Sequence, residues 1–429
     1  MIGLADLGLA PVTEEQSYEQ DPHLDPDVEV GPYAPGPLQP GSIEAQAVWH
    51  TWRGQGVVIV NSPPGAGKST LVARIIHRLA YETDLKIVVA TPTVAAGVDL
   101  SRRLAQVTGP GYVMPSGSSF PKDLTAELNA DALGLRGKTE WKRENPIVVR
   151  TVKSCQMSPP LCDILIIDEA YQVPFAEAAG ASEYADQVVM VGDPGQIGPT
   201  TTVDTSPWDR LTVAPHHRAP EGFATREDAV ELRLPCTYRL GPVTTEAIAP
   251  LYDFPFYSAR PQVSIGKRAE IETLTVKPSL EVADPAAMKA IVKRVSELVG
   301  STLTSAQGEF EVGQEDVAVV AARNQQTSSL SALLRAKGLG NVTVGTADRL
   351  QGGQWAAVVS LDPFFGSPVG SSHSASLGRL CVMVSRHIAH LTWVTSSDWR
   401  EVIESTHMDE DDAAAHVAVR EAMAADSVA

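Results

Sequence analysis

The octapeptide Ser62-Pro63-Pro64-Gly65-Ala66-Gly67-Lys68-Ser69 constrains this chain more than any other stretch, because of what flanks it. Before it runs the β-branched segment Val57–Val60, and after it comes a helical pattern over Ser69–Ala80. A glycine-bearing loop ending in Lys-Ser between a buried strand and a helix is a phosphate cradle. Its glycines let backbone N–H groups close around phosphate oxygens, and the helix adds its positive N-terminal end. Lys68 can then reach the outer phosphates and the Ser69 hydroxyl can ligate Mg2+. Ser62 stands where the consensus has its first glycine. The motif implies bound ATP or GTP and an α/β sheet around the loop.

The rest of the chain fits that frame. Ile87–Ala90, Ile147–Val149, Ile164–Ile167 and Val188–Val191 are further short apolar runs separated by helical stretches. A second set follows at Val317–Ala321, Val342–Val344, Val358–Leu361 and Leu391–Val394. Strands alternating with helices predict parallel sheets, so the fold class is α/β with two tandem units. With 429 residues the chain has room for both. We divide it into a Pro-rich acidic arm over 1–40, a first unit over 41–210, a second over 211–400 and an acidic, alanine-rich tail over 401–429. Residues 200–235 read as a connector, and 101–146 as a small insertion in the first unit.

Composition excludes several classes. No stretch approaches the roughly 20 apolar residues of a membrane span, and the start carries no basic leader, which predicts a cytoplasmic protein. Cys155, Cys162, Cys236 and Cys381 form neither a CxxC pair nor a disulfide framework, so they read as reduced thiols. The net charge of -18 argues against coating duplex nucleic acid. It permits a narrow groove with few local contacts, since surface charge is largely screened beyond ~8 Å at physiological salt.

The run Ile164–Ile167 leads into Asp168-Glu169-Ala170-Tyr171-Gln172. A carboxylate at the tip of a buried strand beside a phosphate loop is where Mg2+ takes its second protein anchor. Asp168 fits that role, and Glu169 is placed to orient or deprotonate a water. The alternative is an acidic helix cap.

Taken in order, PPGAGKST (63–70), DEAYQ (168–172) and VGDPGQIGP (191–199) resemble motifs I, II and III of the superfamily 1 helicases. The DEAxQ form is similar to the branch that moves 5′ to 3′. The resemblance covers about residues 41–400 and implies two RecA-like P-loop domains. It implies nucleotide contacts from Gln46 (through the adenine), Pro64, Gly65, Ala66, Gly67, Lys68, Ser69 and Thr70. Further along, LPCTYRLGP (234–242) would place Tyr238 on the base and Arg239 on the γ-phosphate. VGTADRLQGGQWAAVVSL (344–361) resembles motif V, with Gln351 and Gly352 at the interface of the units, and Gly352 and Gln354 among the implied nucleotide contacts, Gln354 at the ribose position. LGRLCVMVSRH (377–387) resembles motif VI, with Arg386 as the arginine finger. Gln196 of motif III would sense the γ-phosphate.

Strand contacts are implied for Thr91, Pro92, Thr93, Thr151 and Thr346, with Trp141 a basic-segment aromatic candidate within Arg136–Arg143. The implied cofactors are ATP and Mg2+, the latter on Ser69 and Asp168. The implied partner is single-stranded DNA, with RNA possible. Two departures stand out. Motif V usually has glutamate at Gln354, and motif VI usually reads Thr-Arg-Ala where this chain has Ser385-Arg386-His387. The rivals are a translocase or nucleic-acid-triggered ATPase without unwinding, a P-loop kinase or metabolic NTPase, and a binding protein with a decayed site.

Overall fold

The computed structural model describes residues 37–81, 83–108, 113–117, 119–124, 128, 147–201, 203–208, 210–367, 369–371 and 373–425. The first sheet contains β1 (Val57–Asn61), β2 (Ile87–Thr91), β3 (Val113–Pro115), β4 (Ile147–Thr151), β5 (Cys162–Asp168), β6 (Ala185–Gly192) and β7 (Ala229–Arg233). Their order is β3-β4-β2-β5-β6-β1-β7, and every pairing is parallel. Strands of this kind are buried on both faces, which is why they read as unbroken apolar runs. In β1 the faces separate cleanly. Val58 and Val60 join one core with helices α1 (Ile43–Trp52), α2 (Lys68–Tyr81) and α3 (Val94–Thr108), through Val48, Ile76 and Leu104. Val57 and Ile59 join the opposite core, with Cys155, Ala178 and Phe223 from three short helices. Burying each such side chain contributes about 1.5–3 kcal/mol.

A second unit follows. Strands β8 (Cys236–Thr237) and β9 (Tyr257–Ser258) form a parallel bridge, and β10 (Ser264–Ile265), β12 (Thr302–Ser305) and β13 (Gly308–Glu311) form an antiparallel trio. The main sheet has β11 (Ile271–Val276), β14 (Val317–Ala321), β15 (Thr343–Thr346), β16 (Trp355–Leu361) and β17 (His387–Ser396). It is again fully parallel, in the order β11-β17-β16-β14-β15. Val317, Val319 and Ala321 face a core shared with the helices Pro285–Leu298 and Asn324–Ala336, while Ala318 and Val320 face the other. The mixed α/β class with two large parallel sheets is thus the expected one.

Two sequence expectations need correction. Residues 200–235 are more than a connector: the helix Ala219–Phe223 packs in the first core and β7 pairs with β1, so the first sheet runs to Arg233 instead of ending at 210. The polar pattern of β7 hid it, because an edge strand exposes one side and loses the apolar run. The acidic tail is the helix Glu410–Ala425, with Val419 and Met423 buried in the second core. Its Arg420 makes two hydrogen bonds of 2.8 Å to Asp362, both groups fully buried. No helix of the described residues is long and apolar enough to cross a membrane. The four cysteines are free and buried.

Burial of polar groups gives the fold a pH signature. Burial holds His77, His390 and His416 near 4, below their ordinary 6.5, and pushes His387 well below it. These rings are neutral when folded and take up protons once unfolded, so their contribution is complete above pH 6.5 and is lost as pH falls toward 4. Each sets a slope of at most about 1.4 kcal/mol per pH unit. Asp168, raised by burial to about 6, opposes them but is outnumbered. The thermal-unfolding midpoint should therefore fall between pH 7 and pH 5, and His416→Gln should flatten that decline. Scanning calorimetry across this range checks it.

Candidate active site

In a parallel sheet the strands' carboxyl ends share one edge, and ligands bind beyond it. The phosphate loop follows β1, Asp168 closes β5, and Asp193 follows β6, so all three stand on that edge. Gly65 and Gly67 take φ of 73° and 79°, a region that disfavours side chains. Gly65 also lies under the second unit: a Cβ there would sit 2.3 Å from that of Arg239. Ser62 in place of glycine has a physical role, since its hydroxyl donates to the Gly192 carbonyl at 3.2 Å and ties the loop to β6. Lys68 opens α2, with Ser69 and Thr70 half-buried in its first turn.

Lys68 pairs with Glu169. Burial acts to lower the ammonium, but the Glu169, Asp168 and Asp193 carboxylates outweigh it and hold the lysine above its ordinary value. Burial drives Asp168 up to about 6 against the pull of Lys68, and drives Asp193 up as well. Burial would raise Glu169 too, yet Lys68 keeps it below the usual carboxylate range. Glu169 has φ 54°, the one described non-glycine residue with positive φ. Such a conformation costs about 1–3 kcal/mol and gathers at functional sites. Its N–H donates to Asp168 Oδ1 at 2.9 Å, and Gln172 Nε2 donates to its carboxylate at 3.1 Å.

The second unit closes over this edge. Arg239 and Arg386 both belong to it. Arg239 Nε donates to Gln354 Oε1 at 3.1 Å, and burial together with the Arg386 guanidinium lowers it to about 9. Gln354 therefore holds an arginine from the position where glutamate was the expected residue. Arg386 is 1% exposed and donates to Ser385 Oγ at 3.0 Å, while its Nε has no partner among the described residues. A buried guanidinium so poorly satisfied, close enough to Glu169, Asp193 and Arg239 to act on their charges, is the electrostatic setting for a polyphosphate. Thr237 latches the loop: its hydroxyl donates to the Pro64 carbonyl at 2.6 Å and accepts from the Arg239 and Leu240 N–H groups at 3.3 Å. Tyr238 N–H donates to the Gly65 carbonyl at 2.9 Å.

A turn after β6 is gripped in the same way. Asp193 accepts from Gly195 N–H at 2.9 Å, Gln196 Nε2 at 2.8 Å and Tyr252 Oη at 2.9 Å, the last from the second unit. Gln351 Nε2 donates to Gln196 Oε1 at 3.1 Å. Arg218 donates to the carbonyls of Pro194 and Gln196, a positive role for a residue whose sequence context read as loop. A Cβ at Gly378 would lie 2.6 Å from the Gln196 carbonyl, so the helix Leu377–Val384 approaches where only glycine fits.

The structure thus brings Lys68, Asp168, Glu169, Gln196, Arg239, Arg386 and Gln354 into one cluster. Gly352, with φ 86°, lies in the turn between Gln351 and Gln354. Gln46 lies on α1 and donates to the Gly41 carbonyl at 3.0 Å. Thr91 and Thr151 are register partners on β2 and β4. Thr91 donates to the Thr93 carbonyl at 3.0 Å across half-buried Pro92, Thr93 accepts from Ala96 N–H, and Thr151 caps a helix. Thr346 ends β15 on the other sheet. Trp141 and the segment 136–143 lie outside the described residues. Sequence reasoning missed Thr237 and Tyr252, whose partners are 173 and 59 positions away. Asp193 lies within the motif III resemblance, and its role comes from the three donors that meet it here.

The family model described as the viral superfamily 1 RNA helicase core domain matches residues 125–227. This chain is similar to the superfamily 1 helicases. The match spans Asp168, Glu169, Asp193 and Gln196. Among solved structures, the PRRSV helicase is 14% identical with a TM-score of 0.44, over 82% of this chain and 54% of that one. The arterivirus nonstructural protein 10 helicase is 15% identical with a TM-score of 0.46, over 82% and 62%. The same protein solved with DNA is 15% identical with a TM-score of 0.45, over 82% and 63%. The chain thus spans about 54–63% of the length of these proteins. No curated protein matches it.

The Thr237 latch can be tested by an isosteric change. Thr237→Val strands the Pro64 carbonyl and two N–H groups in a buried site, which should destabilise the protein by about 1–3 kcal/mol. Urea unfolding reads the loss, and Thr237→Ser should recover most of it.

Proposed function

We propose that this chain is an ATP-driven helicase or translocase that moves along single-stranded nucleic acid, DNA favoured, in the 5′-to-3′ direction. The observation that carries the reading is the mixed origin of the buried cluster. Lys68, Asp168 and Glu169 come from the first unit, and Arg239 and Arg386 from the second. An isolated metabolic P-loop enzyme has no use for the second half.

Phosphoryl transfer to water is largely positioning and charge neutralisation. The loop over 62–68 and the start of α2 hold the phosphates, and Lys68 exchanges its carboxylate partner for their oxygens. That exchange frees Glu169 to orient and deprotonate a water. Arg386 and Arg239 neutralise charge that develops on the γ-phosphate. A Mg2+ ion on the Ser69 hydroxyl and the Asp168 carboxylate would offset the β- and γ-phosphate charge. Asp168 fits that use, since burial has already raised it to about 6 and a divalent ion would replace the missing countercharge. Gln196, bonded to Asp193 and Gln351, couples the phosphates to both units. Thr91, Pro92, Thr93 and Thr151 on one sheet and Thr346 on the other are the contacts proposed for the strand. Hydroxyl contacts and base stacking of about 1–3 kcal/mol per base suffice without a basic surface, which agrees with the charge of -18.

ATP turnover should rise with single-stranded DNA, and 5′-tailed partial duplexes should open while 3′-tailed ones stay closed. Arg386→Ala should lower kcat by roughly 10³ or more with little change in ATP affinity, and Lys68→Ala should remove both. Turnover indifferent to DNA and RNA alike would end the motor reading. Turnover stimulated without strand displacement would leave a translocase.

A further inference from the structure

The segments that carry Arg239 and Arg386 meet directly where Arg239 Nη1 donates to the Ser385 carbonyl at 3.4 Å, 146 positions away and next to Arg386, and a further hydrogen-bond circuit joins them behind the site. His387 follows Arg386 and is fully buried. Its Nε2 is 2.9 Å from Thr244 Oγ1, in the helix Pro242–Ile248 that begins three residues after Arg239. The Thr244 hydroxyl donates to Glu270 Oε1, and Thr244 N–H donates to the same oxygen at 3.0 Å. The hydroxyl has one proton and gives it to Glu270, so the imidazole is the donor to Thr244. Arg260 donates to Glu270 Oε2 at 3.3 Å and to the carbonyl of Ile388, next to His387. Ser258 completes the circuit: its Oγ accepts from Arg260 N–H at 3.3 Å and donates to the Leu240 carbonyl at 2.7 Å, next to Arg239.

We propose that His387 is a positioning residue: through Thr244 and Glu270 it fixes the Arg386 segment to the Arg239 segment, so the two guanidiniums enter the phosphate site as one unit. The proposal rests on the ATP-hydrolysing reading of that site. Three features favour positioning over plain packing. The circuit returns on both sides to residues adjacent to an arginine. Gly241 admits it, since a Cβ there would fall 2.0 Å from Glu270 Oε2 and 2.2 Å from Arg260 Nη2. An alanine at 387 would fill the backbone position equally well and leave Thr244 without its second partner. Among the described residues no hydrogen bond joins the His387 ring to Lys68, Asp168 or Glu169, so its role runs through the arginine segments.

The test compares His387→Ala, His387→Gln and Thr244→Val with the parent chain in ATP turnover and in thermal shift with ADP alone and with ADP plus aluminium fluoride. Misplacing catalytic groups by about 1 Å costs on the order of 10²-fold. His387→Ala should therefore lose kcat on that order with KM nearly unchanged, because the ground-state grip comes from the loop and Lys68. It should keep the ADP shift and lose the extra shift given by aluminium fluoride. His387→Gln, which keeps a donor at the same reach, should recover most of both, and Thr244→Val should repeat the loss. Combining His387→Ala with Arg386→Ala should add little to the arginine change alone. A parent with neither turnover nor an ADP shift overturns the ATP reading itself. A parent with both, beside a His387→Ala protein of parental kcat or one whose loss multiplies with that of Arg386→Ala, overturns the positioning role.

Discussion

Three cations and three carboxylates, some buried and some half-buried, are gathered where the two units meet, and the rest of the molecule is arranged around making that tolerable. Lys68, Arg239 and Arg386 face Asp168, Glu169 and Asp193, and no member is stable there alone. Removing an ion from water costs several kcal/mol even after relaxation, so each charge depends on the others. The opposed shifts record this balance: burial wins at Asp168 and Arg239, and the opposite charges win at Lys68 and Glu169. Hydrogen bonds alone do not satisfy Arg386, and that leaves a place for an anion.

Parallel topology supplies the geometry. Because every strand of the seven-stranded sheet points the same way, loops from β1, β5 and β6 converge on one edge, and the segments around 239 and 386 of the second unit approach that edge. Alternation of apolar faces then anchors the edge. Each strand bearing a site residue is packed on both sides, so the loops it carries start from fixed points. Local strain is confined to a few places: the left-handed Glu169 and the close approaches at Gly65 and Gly378.

Much of this was legible in the chain itself, and the reasons differ by residue. The phosphate loop could be read because glycine, lysine and serine must occur at fixed spacing between a strand and a helix. Asp168 and Glu169 followed from an apolar run that ends in acid. Strand β7 was not legible, since an edge strand with alternating polarity resembles a loop. The docking of the C-terminal helix on the second core was hidden for a related reason. Its acids face outward, and its buried Arg420 is stable only beside Asp362, 58 positions away. Thr237 and Tyr252 carry no local signal at all, because a hydroxyl's value depends entirely on which distant carbonyl or carboxylate it meets. The departure at Gln354 was visible, but only the structure supplies its partner, Arg239.

The strength of the inter-unit contacts bears on how such a cluster could drive motion. The second unit touches the turn after β6 through Tyr252 on Asp193, Gln351 on Gln196, and Ile197 within the apolar cluster of Leu350 and Trp355. It touches the phosphate loop through Thr237 and Tyr238. Typical hydrogen bonds contribute about 0.5–1.5 kcal/mol each, and those to charged groups about 1.5–3. A handful of them holds the units together without locking them. Moving a two-state equilibrium from mostly open to mostly closed takes about 5.5 kcal/mol of differential binding. Under the proposed function, a triphosphate would engage two arginines from one unit and a lysine from the other, and would make all of these charged contacts only with the units closed. Its gain or loss is therefore of the same order as the whole interface, which is the condition under which hydrolysis can tip the balance.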